Sequence, residues 1–168
     1  MPLPGGAAAA GTASKLYRIA KPLFNVTKVS KRYDYTKLAR LGPNKGSSRL
    51  LGQNLEKVGK YGTRVNGKLT DDAAHLVAKN AKHARNSRAI LKKYGIDIDN
   101  EVNGKWLPHG KNTSKYPNPL GKATHQSTHS KKFHSALEQM LRRANSQKDC
   151  EKILRYVAQQ LEKGPWPR

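Results

Sequence analysis

The stretch from Thr124 to Arg143 constrains the fold of this chain more than any other. It begins with two histidines, His125 and His129, four residues apart. On a helix this spacing places both rings one turn apart on a single face. The same face continues as an apolar stripe made of Phe133, Leu137, Met140 and Leu141. The pattern predicts an amphipathic helix whose imidazoles extend the stripe inward, where two neutral ring nitrogens could hold a metal ion.

The net charge indicates the kind of partner. The chain has 33 Lys and Arg against 11 Asp and Glu, which gives a formal charge of +22 over 168 residues. This excess predicts a polyanionic partner, of which nucleic acid is the commonest. An acidic protein partner is compatible with the same charge, whereas a membrane surface would require a strongly amphipathic basic helix. No apolar run reaches membrane-spanning length, so no membrane insertion is expected.

Cysteine content and the first residues argue against three further features. The single cysteine, Cys150, excludes an internal disulfide framework and a Cys-rich zinc finger. The opening residues lack the basic and apolar regions of a secretory signal and are typical of a Pro/Gly/Ala linker.

Composition divides the chain into three parts. We predict a disordered linker over residues 1–13, a basic N-terminal arm over 14–47 and one folded domain over 48–168. The arm is either solvated or in contact with phosphates, and its near-lack of acidic residues favours phosphate contact.

Local signals predict the elements of the folded domain, which we expect to be α+β and mostly helical. Ser47 or Ser48 can cap a helix through Lys60, and residues 62–68 have the composition of a loop. The further predictions are a strand-like segment at Thr70–Val77, a helix from Asn80 to Tyr94 stopped by Gly95, a short strand at Lys105–Pro108 after the Asn103–Gly104 turn, and a last helix capped by the box Ser146–Asp149.

Five pieces in this order resemble a known family. They are Ala73-Ala74-His75-Leu-Val, Ser87-Arg88-Ala-Ile-Leu91, Gly95-Ile-Asp-Ile, Asn103-Gly104-Lys-Trp-Leu-Pro108 and His125-x3-His129-Ser. Their order resembles the ββα-metal (HNH-type) nuclease finger and, more narrowly, the AHH nuclease family, which occurs as C-terminal toxin modules of bacterial polymorphic toxins. The resemblance covers residues 48 to 143.

The resemblance implies a metal-dependent endonuclease with DNA as the expected substrate. His75 would be the general base, because an imidazole titrates near neutral pH, and Asn103 would orient it. His125 and His129 would hold a divalent ion such as Mg, Zn, Ni or Mn. The expected nucleic-acid-binding residues, which would contact phosphates without reading bases, are Lys79, Arg88, Lys105, Lys131 and Lys132. The family context further implies a secreted or injected effector that acts in a target-cell cytoplasm and is inhibited by an acidic immunity protein.

One position departs from the family pattern. The family triplet is Ala-His-His, in which the first histidine is a metal ligand, but this chain has Ala74 there. Three explanations remain open: a deliberately disabled variant, which we favour because the rest of the site is intact, a naturally degenerate relative, or a ligand shell completed by Asp72, His83 or His109.

The remaining signals are weaker, and two other function classes stay open. We expect His83 to be exposed, Trp106 to pack in the second strand, and His134 to lie beside the apolar stripe rather than on it; His109 and His134 receive no role. The alternatives to a nuclease are a non-catalytic basic nucleic-acid-binding protein and an interaction module that binds an acidic partner.

Overall fold

Four α-helices and two small sheets make up the described part of the chain. The computed structural model describes residues 46–110 and 118–167. The predicted linker over residues 1–13 and nearly all of the predicted arm over 14–47 therefore lie outside the described residues. The elements in chain order are α1 (Ser48–Lys57), β1 (Arg64–Val65), β2 (Lys68–Leu69), β3 (Asp71–His75), α2 (Arg85–Lys93), β4 (Gly104–Pro108), α3 (Lys131–Leu141) and α4 (Gln147–Glu162), with 3₁₀ turns at Lys82–Ala84, Glu101–Asn103 and His125–His129.

Strands β3 and β4 form the antiparallel pair that organises the domain. Their register places Asp71 opposite Pro108 and His75 opposite Gly104. Because side chains alternate along a strand, Asp72 and Ala74 lie on one face and Ala73 and His75 on the other. The two strands followed by α3 give the ββα order, and the α+β, mostly helical class is confirmed.

A second, smaller pair corrects the prediction of a loop over residues 62–68. β1 and β2 pair antiparallel across Asn66 and Gly67, whose φ angles are 50° and 74°. Two successive residues with positive φ are the requirement of a type I′ hairpin turn, and Asn-Gly is the dipeptide that best supplies it. The signal was present in the sequence, but the strands are too short for periodicity to show.

The two faces of the β3–β4 pair are buried against different partners. Ala73 packs with Leu51 and Leu55 of α1 and with Trp106. Ala74 belongs to the main core, which α2, α3 and α4 complete with residues such as Phe133 and Leu137. The main core therefore lies on the face that also carries Asp72.

The predicted continuous helix over Thr124–Arg143 is wrong in its first part. His125–His129 form a 3₁₀ turn, and α3 begins only at Lys131 after Ser130, which is extended with ψ of 146°. Two local hydrogen bonds give the reason: Ser127 Oγ donates to Thr124 O at 2.7 Å and Thr128 Oγ1 donates to His125 O at 2.7 Å. Such side-chain bonds compete with the α-helical ladder, while Ser130 caps α3 by accepting from Phe133 N at 3.1 Å.

The other helix predictions hold with shifted ends. Ser47 caps α1 and Ser146 caps α4, each by accepting from the backbone N–H three residues ahead. α2 begins at Arg85 after a 3₁₀ turn rather than at Asn80, and Gly95 follows its end with φ of 68°.

Candidate metal centre and active site

The two predicted metal ligands converge through their Nε2 atoms. His125 Nε2 and His129 Nε2 are 3.1 Å apart, and the ring centroids are separated by 4.8 Å. The predicted inward orientation is only partly realised, because the His125 side chain is 26% exposed and His129 is exposed. The buried residue of the turn is Thr128, at 1% exposure. In a 3₁₀ turn residues four apart do not share one face, so the pair projects from the rim of the core rather than continuing its stripe.

A carboxylate holds the far side of His125. Asp72 Oδ2 lies 2.9 Å from His125 Nδ1 and 2.8 Å from His109 Nδ1. A carboxylate oxygen accepts, so the proton of the neutral His125 ring belongs on Nδ1 and the lone pair on Nε2, the atom that faces His129. β3 thereby contributes to the histidine pair through Asp72.

The donor set fits a metal ion held by two imidazoles. Two nitrogens at zinc-like bond lengths around a tetrahedral ion would be separated by roughly 3.3 Å, close to the 3.1 Å between the two Nε2 atoms. Within residues 46–110 and 118–167, no three His, Cys, Asp or Glu side chains are grouped to ligate one ion. Asp72 contacts the ring nitrogen opposite Nε2, and Ala74, on the same strand face, has no donor atom. Further ligands would therefore be water or substrate oxygens.

His75 lies in a buried pair with Asp99. His75 Nε2 is 2.7 Å from Asp99 Oδ1, and both side chains are 6% exposed. Burial lowers the pKa of His75 most strongly; the Asp99 carboxylate opposes this, while the charges of Lys79 and His125 lower the pKa further. The ring is thus neutral at pH 7, with Nε2–H donating to Asp99 and the lone pair on Nδ1, the state that a general base requires.

Asp99 is itself held from several directions. Both of its carboxylate oxygens lie 2.9 Å from Ser47 N, and its backbone O accepts from Asn54 Nδ2 at 2.9 Å. Asp99 is a site residue that the sequence patterns did not predict. Its signal was an acidic residue at the end of the Ile-Asp-Ile-Asp run in a strongly basic chain, but nothing local indicates that it reaches His75.

Asn103 is fully buried and bonds backbone rather than the His75 ring. Its Oδ1 accepts from Val77 N at 2.8 Å, and its Nδ2 donates to Ile98 O at 2.8 Å and Val77 O at 3.2 Å. Its backbone O also accepts from Leu76 N at 2.8 Å. Asn103 therefore fixes the backbone that follows His75 and joins it to the segment that carries Asp99.

The five predicted nucleic-acid-binding residues fall into different environments. Lys131 and Lys132 are exposed in the first turn of α3, directly after the histidine pair, and Lys79 is half-buried near His75. Arg88 Nη1 donates to Ala78 O at 2.9 Å and Ala81 O at 2.8 Å, so this group is occupied within the protein.

Lys105, the fifth of these residues, pairs with a carboxylate instead of facing solvent alone. Its Nζ contacts Glu162, which also pairs with Lys122 Nζ at 2.9 Å. Burial raises the pKa of Glu162, but its hydrogen bonds and ion pairs with the two lysines outweigh that effect and hold it below the usual value. The charge of Lys105 is thus largely balanced within the protein.

His134 corrects the expectation that it lies beside the stripe. It is 1% exposed, and neither ring nitrogen has a hydrogen-bond partner among the described residues. Burial and the positive charges of His129, His83 and Arg88 lower its pKa to about 4. The ring is buried because α2 and the preceding 3₁₀ turn both pack against α3. His83 is exposed, as predicted.

One groove in the described part of the protein does not include the histidines. It has a volume of about 530 Å³ and borders Asp99; its lining includes Leu50, Lys92, Ile96 and Ile98 but no histidine. His125 is part-buried and His129 is exposed, beside the exposed Lys131 and Lys132.

The fold and the site together define a class of protein. It is an α+β domain with a ββα arrangement, in which β3 carries the buried His75 and contacts the pair His125 and His129 through Asp72. A family model described as AHH, a nuclease family of the HNH/ENDO VII superfamily with conserved AHH, matches residues 55–161. The chain belongs to this nuclease family, and its substrate class is nucleic acid. Searches of curated proteins and of solved structures give no match. No helix within the described ranges could span a membrane.

Proposed function

We propose that this chain is a metal-dependent endonuclease that hydrolyses phosphodiester bonds of DNA, with His75 as general base and His125 and His129 as metal ligands. The observation that carries the proposal is the convergence of the two Nε2 atoms, 3.1 Å apart, beside the strand that ends in His75. Family membership supports the nuclease class.

His75 would accept the proton of the attacking water at Nδ1. The bond from Nε2 to Asp99 fixes the tautomer, and burial keeps the ring neutral. A positioned base of this kind contributes about 10²–10⁴-fold to a hydrolysis rate. Asn103 would act at one remove, because it fixes the backbone next to His75.

His125 and His129 would hold the ion, which when bound stabilises charge on the scissile phosphate and leaving oxygen. Mg, Zn, Ni and Mn are the candidates, and imidazole ligands favour Zn and Ni over Mg. Lys131 and Lys132 are placed to bind flanking phosphates without reading sequence.

We further propose that Ala74 impairs catalysis. A histidine at this position would lie on the strand face of Asp72, the face that contacts His125, and would supply the donor atom that alanine lacks. With only two protein ligands, the ion is bound more weakly than in a site with three.

The test is cleavage of plasmid DNA and of RNA by the unchanged chain and by Ala74→His, across the four metals. We expect Ala74→His to cleave faster, chelator to stop it, and His75→Ala in the same background to lower the rate at least 100-fold. His83→Ala is the matched control and should retain activity. No metal-dependent cleavage by Ala74→His, or cleavage that survives His75→Ala, would contradict the proposal.

A second candidate function is non-catalytic nucleic-acid binding. The missing donor at Ala74 and the charge of +22 favour it. This alternative predicts high-affinity binding to nucleic acid that neither His129→Ala nor chelator changes. The nuclease proposal predicts instead that His129→Ala abolishes metal binding.

We propose the biological setting from the family context alone: an effector delivered into a competing bacterial cell and neutralised by an acidic immunity protein. The excess of positive charge supports an acidic inhibitor. Cytoplasmic expression of Ala74→His should arrest bacterial growth, while expression of Ala74→His/His75→Ala should not. Equal growth of the two strains would refute the toxin role.

A further inference from the structure

We infer that Asp72 is the positioning residue of the metal pair: its carboxylate orients His125 so that two protein ligands suffice to bind the ion. The inference rests on the proposed function for the identity of the ligands. Its geometric basis is the contact between Asp72 Oδ2 and His125 Nδ1 at 2.9 Å.

The contact fixes both the tautomer and the direction of the ring. Because Asp72 takes the proton on Nδ1, the lone pair of the neutral ring is on Nε2, which is directed at His129 Nε2. Carboxylates that hold the second nitrogen of a metal-binding histidine also raise the basicity of the first. Without Asp72, the neutral ring would exchange between its two tautomers, and the metal affinity would fall because only the tautomer with its lone pair on Nε2 binds the ion.

Asp72 is suited to orienting His125 because a second histidine and the β-sheet both hold it in place. Its Oδ2 lies 2.8 Å from His109 Nδ1 as well as 2.9 Å from His125 Nδ1. It also lies within β3, where it pairs with Leu107 of β4. A carboxylate on a strand with a second donor loses less freedom on holding His125 than one on a long exposed side chain would.

The same geometry bears on whether Asp72, His83 or His109 could serve as the third metal ligand in place of the residue at Ala74. Asp72 faces Nδ1 of His125, on the far side of the ring from Nε2, and His109 binds Asp72 rather than the pair. His83 contributes to the surroundings of His134 instead. Asp72 and His109 thus support a ligand and do not replace the missing one.

The experiment compares adjacent carboxylates of equal charge. Asp71 precedes Asp72 on β3 but lies on the opposite face, where its Oδ2 accepts from Thr63 N at 2.9 Å. Zinc and nickel are titrated calorimetrically into the unchanged chain, Asp72→Ala, Asp71→Ala and His129→Ala. We expect Asp72→Ala to weaken binding 10- to 100-fold and Asp71→Ala to change it less than about threefold.

A second readout does not depend on metal. Long-range ¹H–¹⁵N NMR of the metal-free protein should place the His125 proton on Nδ1 in the unchanged chain and in Asp71→Ala, and on both nitrogens in Asp72→Ala. A merely structural role of Asp72 would change the melting temperature without changing this tautomer.

The outcomes separate the inference from the proposed function. Equal weakening by Asp71→Ala and Asp72→Ala would mean that charge alone acts, and an unchanged His125 tautomer in Asp72→Ala would overturn the positioning role. If the unchanged chain and His129→Ala give the same titration, the metal centre of the proposed function fails, while the NMR result still decides whether Asp72 orients His125.

Discussion

The buried ring of His134 should make this domain sensitive to acid. In the unfolded chain the ring has its ordinary pKa of 6.5, whereas in the folded protein the pKa is about 4. Between these pH values the unfolded state binds a proton at His134 that the folded state does not. The free energy of unfolding is therefore highest above pH 6.5 and decreases as the pH falls towards 4. Replacing it with leucine, His134→Leu, removes this titration.

The size of the effect follows from the two pKa values. The gap between 6.5 and about 4 sets a ceiling of roughly 3 kcal/mol, since one pKa unit corresponds to about 1.4 kcal/mol. At pH 5 the linkage relation gives a loss of about 2 kcal/mol relative to pH 7. For a domain of this size, that corresponds to a fall in Tm on the order of 8 °C.

Thermal unfolding by circular dichroism at pH 7 and pH 5 measures the effect. Other titrating groups also lower the Tm of the unchanged protein between pH 7 and pH 5. The relevant quantity is therefore the difference between the fall in Tm of the unchanged protein and the fall in Tm of His134→Leu. We expect the fall in Tm to be smaller by roughly 8 °C in His134→Leu. The control His83→Gln alters an exposed histidine whose charge is a lesser cause of the His134 shift than burial, so it should change the fall much less. An equal fall in all three proteins would refute the reasoning.

Two further predictions concern packing and nucleic-acid affinity. Gly104→Ala should lower the free energy of unfolding by about 1–3 kcal/mol in urea titrations, because the new Cβ would lie 2.6 Å from a leucine side chain of α1. The control Gly110→Ala should not change it, because no described atom lies within 4 Å of the new Cβ. Comparable losses for the two variants would contradict this account. Lys131→Ala/Lys132→Ala should reduce the slope of log affinity against log salt by about 1.8 in fluorescence anisotropy with duplex DNA, and the exposed control Lys152→Ala should leave it unchanged. An unchanged slope in the double variant would mean that these lysines do not contact phosphates.

Local signals predicted the parts of the fold that depend on local interactions. Ser47 and Ser146 cap their helices as serine at these positions should, and Gly95 follows α2 in the left-handed conformation. The apolar stripe from Phe133 to Leu141 is buried, as its helical periodicity predicted, because these residues share one face of α3. The order of the two strands and α3 could likewise be predicted.

The features that sequence missed depend on contacts that periodicity does not encode. The turn at His125–His129 is not α-helical because Ser127 and Thr128 bond nearby carbonyls, a preference that the histidine spacing conceals. His134 is buried because α2 and the 3₁₀ turn before it pack against α3, and Asp99 reaches His75 across 24 residues of chain. Local side-chain bonds decide the first of these features and tertiary packing decides the other two, and hydrophobic periodicity reveals neither.

The pair of bonds between Asp99 and the Ser47 amide links the start of the folded domain to His75, the proposed general base. The same carboxylate that contacts the His75 ring also accepts from the amide of Ser47, the residue that caps α1. Any force or binding event that shifts the start of α1 would therefore be transmitted through one side chain to the ring. We expect a protein bound at that end of α1 to alter the tautomer of His75 without touching it.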